Sequence, residues 1–178
     1  MKVSGADLVE YLVKEFGPKV PQKTLQKLAY LAEVEYAKKH GERLSNLRFI
    51  RYYYGPYSLD IKNIEDESEN IAIVDSGGTA YSYKFSTFTG DSEPDLPSEL
   101  KNEIKSILQP YRRKTGKELE EISDKTEPFL ETAELREEID LDGYAWYHNL
   151  IIREDTWAEV ERQDQENEKK NVYGKVKV

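Results

Sequence analysis

The sequence predicts a mainly helical α+β fold: a compact helical domain carrying one small antiparallel β-hairpin. Three observations predict it. Apolar residues recur at helical spacing through the first forty residues. A Gly-Gly pair then divides two alternating β-prone runs, and a further helical stripe follows them.

Ser4 is placed to cap a first helix, in which Leu8, Val9, Leu12, Val13 and Phe16 share a face until Gly17-Pro18 ends it. Pro21 suits the first turn of a second helix, PQKTLQKLAYLAEVEYAKKH. Leu25, Leu28, Ala29, Ala32 and Tyr36 form its stripe, and Leu31 and Val34 widen the apolar arc. A helix apolar on more than one side is expected at the centre. Lys38, Lys39 and His40 suit its negative end, and Gly41 closes it.

LRFIRYYY (Leu47–Tyr54) reads as a short extended segment ended by Gly55-Pro56, after which Ser58 caps a short helix carrying Leu59 and Ile64. The hairpin is expected to pair Ile71–Asp75 with Ala80–Phe88 about Gly77-Gly78. Leu100, Ile104, Ile107, Leu108 and Tyr111 mark a third long helix that ends near Pro110. Thr115-Gly-Lys-Glu118 has the form of a capping box. SDKTEPF is expected to be a break, because Pro128 disfavours helix at Glu127. A helical stretch is expected over Leu141–Ile152, with Thr156 starting a separate last helix. Residues 1–157 are thus expected to form one domain, and 158–178 a charged C-terminal tail, frayed or disordered.

The chain has 178 residues, no cysteine, two histidines and a net charge of −9. Absence of cysteine excludes disulfides, thiolate metal sites and a cysteine nucleophile. The N-terminal stretch MKVSGADLVEYLVKEFG has neither a signal peptide's apolar core nor a membrane span, so a cytoplasmic protein without membrane attachment is expected. Charge is unevenly placed. From Lys14 to Arg51 bases outnumber acids nine to four, whereas from Lys117 to Asp142 acids outnumber bases eleven to three. These regions read as solvated faces, as surfaces that steer partners, or as halves that meet within the fold.

No phosphate-binding loop is present, and His40 and His148 alone offer no metal set, so no cofactor or metal is expected. Ser58 lacks the small flanking residues of a nucleophile elbow and reads as a cap. Tyr52, Tyr53, Tyr54 and Tyr57 surround Gly55-Pro56. Two readings stand: rings that cover a packed corner, or a binding face using tyrosine's large contact area and polar tip. Arg48 and Arg51 among them would also suit stacked single-stranded nucleic acid, which the net charge argues against.

Three stretches in order resemble the Panacea domain family, the SocA-like antitoxin domains: LQKLAYLAE (Leu25–Glu33), FIRYYYGPYSLDI (Phe49–Ile61) and TGKELEEISDKTEPF (Thr115–Phe129). At the third the sequence departs from the pattern, with Lys125-Thr126-Glu127-Pro128-Phe129 where many members carry histidine and tryptophan. The resemblance implies a largely helical, non-catalytic protein-interaction module. Such modules neutralise a neighbouring toxin by direct contact, and one member acts as an adaptor that delivers its toxin to a protease. The expected partner is therefore a protein, and the resemblance implies a toxin. The residues expected to contact it are Tyr53, Tyr54, Gly55, Pro56 and Tyr57, with Lys125, Thr126, Glu127 and Pro128. Two rival expectations remain. One is a nucleic-acid-associated regulator using Lys14–Arg51, and the other an enzyme gathering Tyr54, Lys125 and Glu127 in one cleft.

Overall fold

The computed structural model describes residues 2–77 and 84–174, and side chains as far as residue 163. Helix α1 (Gly5–Glu15) begins where Ser4 Oγ accepts a hydrogen bond from the Ala6 N–H at 3.1 Å. Its apolar face buries Leu8, Val9, Leu12 and Val13 against α2 (Gln22–His40). Helix α2 is the axis of the molecule, packed by α1 and by α4 (Ser98–Leu108), α5 (Gly116–Ser123) and α7 (Leu141–Gly174). That is why its buried arc runs almost all the way round. It ends at Gly41, in the left-handed region at φ 64°. A side chain there would come within 2.4 Å of the Asn149 backbone, so glycine also permits α7 to lie close.

Two small antiparallel sheets join this helical body, one more than expected. In the first, β4 (Ile71–Asp75) pairs with β5 (Lys84–Phe88), which also receives β1 (Val20–Pro21). This is the expected hairpin. Gly77 has a positive φ of 68°, while residues 78–83, including the expected strand start at Ala80, lie outside the described residues. The second sheet corrects the sequence expectation. Strand β2 (Ile50–Tyr52) pairs with β3 (Gly55–Tyr57), so Gly55-Pro56 lies within a strand and Tyr53-Tyr54 are the turn. Residues 136–139 run along β2: Arg51 N–H donates to the Glu137 carbonyl at 2.8 Å, and Ile139 N–H to that of Phe49 at 2.8 Å.

Ser58 caps α3 (Leu59–Glu67) as expected, although Leu59 points outward and Ile61 carries the buried face. The Thr115–Glu118 capping box opens α5, and α4 tightens to a 3₁₀ turn at Gln109–Tyr111. Two expectations fail. The SDKTEPF break is shorter than predicted, because Glu127–Glu131 form α6 with Pro128 in the first turn, where a missing N–H costs no intrahelical bond. Thr156 starts no new helix. Its hydroxyl donates to the Ile152 carbonyl at 2.8 Å, inside a continuous α7. Among the described residues no helix is long and apolar enough to cross a membrane.

Candidate functional site

The three sequence stretches meet at one polar junction in the interior. On α2, Lys27 and Tyr30 stand three residues apart and therefore face the same way. Lys27 is buried and donates from Nζ to the Pro56 carbonyl at 2.8 Å. One residue earlier, the Gln26 amide engages Ser58 in both directions: its Nε2 donates to the Ser58 carbonyl at 3.0 Å, and its Oε1 accepts from the Ser58 N–H at 2.7 Å.

Gly55, at φ 84°, leaves the space these groups need. A Cβ there would lie 2.7 Å from Asp124 Oδ1 and 3.2 Å from Lys27 Cε. On the third stretch, Thr126 Oγ1 donates to the Ser123 carbonyl at 2.7 Å. Its single proton is thereby committed, so Tyr30 OH is the donor in the 2.8 Å contact between the two hydroxyls. Arg51 closes the junction, donating from Nη1 to the carbonyls of Phe129 and Thr132, each at 2.8 Å, with its guanidinium stacked over the Phe129 ring at 4.4 Å.

Burial sets the electrostatics. It pushes the Lys27 ammonium down to about 8, with Glu120 and Asp124 pulling it back up. The Asp124 carboxyl is raised by the same burial and by Glu120, against the pull of Lys27 and Arg51. Asp124 Oδ1 and Ser123 Oγ are buried without hydrogen bonds among the described residues. Tyr30 is likewise raised by burial, so its phenol keeps the donating proton.

The expected contact residues divide into two sets. Gly55, Pro56 and Pro128 are buried, and Tyr57 and Thr126 are half-buried, all within or beside the junction. Tyr53 and Tyr54, 66% and 61% exposed, project from the hairpin tip, while Lys125 and Glu127 are also exposed. Tyr53 and Tyr54 do not alternate in burial as the expected extended segment over Leu47–Tyr54 would have them do, because a turn has no strand period. Tyr52 packs edge-on to Tyr53 and is tilted against Tyr57. The Lys23 ammonium lies 5.0 Å from the Tyr54 ring centre.

The bases of the basic third are mostly answered within the fold, chiefly by carboxylates outside the acidic third. Of the nine bases from Lys14 to Arg51, six are held within the fold. Lys14 pairs with Glu93, Lys39 with Glu103, Arg43 with Glu33 and Asp142, and Arg48 with Asp60, while Lys27 and Arg51 serve the junction. Little of that charge is left to neutralise phosphates. His40 is a cap-end group bonded to Glu103, and His148 packs edge-on to Tyr144 and Tyr147.

Sequence reasoning overlooked a line of exposed apolar groups on α7: Trp146, Leu150, Trp157 and Val160. The signal was present as spacings of four, seven and three residues, but it crossed the boundary expected at Thr156. The model of one protein family, antitoxin SocA-like, Panacea domain, matches residues 25–129. No curated protein and no solved structure matches the chain.

Proposed function

The chain belongs to the Panacea family of SocA-like antitoxins, and from that premise we propose that it neutralises a toxin by binding it directly, without catalysis, in the cytoplasm. The family supports a role in a toxin–antitoxin system. The observation that carries the finer reading is the junction of Lys27, Tyr30, Gly55, Asp124 and Thr126. Residues of all three motifs take one another as partners, so the motifs build the scaffold. What the scaffold turns outward is contact chemistry: two tyrosines at a hairpin tip and exposed tryptophans on a helix that carries more acids than bases. Exposed aromatic side chains of this kind dominate the energetics of protein interfaces. Tyr53 and Tyr54 are the partner contacts of the central motif, and Gly55 and Pro56 hold them in place.

The test is co-expression with the product of the adjacent reading frame. The expected result is growth restored by this chain and recovery of the two proteins as one complex. Toxicity that persists at full expression of this chain overturns the reading.

A further inference from the structure

The N-terminal part of α7 is anchored in the core by Leu141, Tyr144 and Ala145, packed with α2, whereas every described residue from Arg153 to Gln163 is exposed. The exposed part is not uniformly polar. Trp146, Leu150, Arg153, Trp157 and Val160 are separated by four, three, four and three residues, the alternation of a coiled-coil seam. At about 100° per residue they fall within an arc of about 80°. Trp146 and Trp157 are 65% and 69% exposed, and they are the only tryptophans in the chain. At its anchored end the seam runs into a cleft of about 300 Å³ lined by Lys2, Gly41, Arg43, Asp142, Trp146 and Asn149.

Charge decides what fits the seam. Glu154 and Glu161 border it on the same side, one heptad apart, and Arg153 interrupts it. A second copy of this chain is the wrong partner. Antiparallel pairing would set these glutamates against their own copies, and parallel pairing would set Arg153 against Arg153. We infer that the α7 seam docks an amphipathic helix of another protein, with an apolar face bordered by lysine or arginine and one carboxylate opposite Arg153. The inference rests on the antitoxin reading, since that helix would belong to the toxin.

The test uses the full chain and two labelled three-heptad peptides with leucine seams. One has lysines at the flanks and a single glutamate in the seam, and the other has every charge reversed. Peptide anisotropy gives affinity, and tryptophan emission gives location. The basic peptide is expected to bind with a blue shift, the reversed peptide at least ten-fold more weakly. Trp157→Asp/Val160→Asp is expected to weaken the basic peptide at least ten-fold, while Val74→Asp on β4 has no effect. Equal affinity for the two peptides, binding of neither, or an unaffected double variant overturns the inference. So does self-association of the wild type that the double variant abolishes. Circular dichroism checks that the double variant is folded. Neutralisation separates the two proposals: a wild type that fails to neutralise sinks the antitoxin reading. A double variant that neutralises as well as wild type sinks only the docking face.

Discussion

Gly55 shows how one residue links the three shared motifs. Its positive φ follows the Tyr53-Tyr54 turn, and its missing side chain leaves room for Asp124 and Lys27. Gly55→Ala therefore adds backbone strain and a clash, and is expected to cost about 2–4 kcal/mol. Urea unfolding measures it. Adding Asp124→Ala should recover the steric part and leave the cost of φ, so strict additivity would refute the contact. Lys27 makes a second prediction. Its folded value, about 8, lies below its ordinary 10.5. Between those values the unfolded chain binds more protons, so Lys27 contributes stability that rises with pH, by at most about 1.4 kcal/mol per pH unit. Wild type should gain on Lys27→Met between pH 8 and 9.5. A flat difference would show that Lys27 is not desolvated. The sequence displayed Lys27, Gly55 and Asp124 but not their meeting, because contacts between residues so far apart in the chain have no local signature.

At the scale of elements, end signals were legible wherever they were local. Ser4, Ser58, Thr115 and Gly41 all act as their chemistry dictates. Thr115→Ala should cost about 1 kcal/mol, because the Glu118 N–H loses its acceptor, and Thr115→Ser should restore most of it. What misled was chemistry that serves two purposes. Pro128 reads as a breaker yet also suits a first turn, and Thr156 reads as a cap yet also bonds back to Ile152 within a helix. Thr156→Pro separates the alternatives. In a continuous α7 it removes an intrahelical bond and clashes with the preceding turn, so helical ellipticity should fall. At a helix start the same change would leave ellipticity as it was.

For the whole molecule, the family match ends at residue 129 but the core does not. Thr132, Ile139, Leu141, Tyr144 and Ala145 are all buried beyond it, and residues 136–139 hydrogen-bond along β2. Arg43 ties α7 back to the buried Glu33, whose carboxylate also accepts the Leu44 and Ser45 N–H groups at 3.2 and 2.9 Å. The composition announced a basic third and an acidic third, and packing joins them at Arg43–Asp142 and around Asp124, while the other paired bases find carboxylates elsewhere. Removing residues 130–178 would therefore uncover the α2 surface that α7 covers and leave Arg43 without Asp142. Each buried apolar side chain so lost is worth about 1.5–3 kcal/mol, and several together are comparable with the roughly 5–15 kcal/mol that holds a typical domain. A chain ending at Phe129 should be insoluble or lack cooperative urea unfolding. A chain ending at Ile152 keeps the anchored turns of α7 and loses only residues that, through 163, are exposed. It should unfold within about 1 kcal/mol of the full chain. If the chain ending at Phe129 unfolds cooperatively, the shared motifs form a self-sufficient core, and the packing of α7 on α2 is an accessory contact.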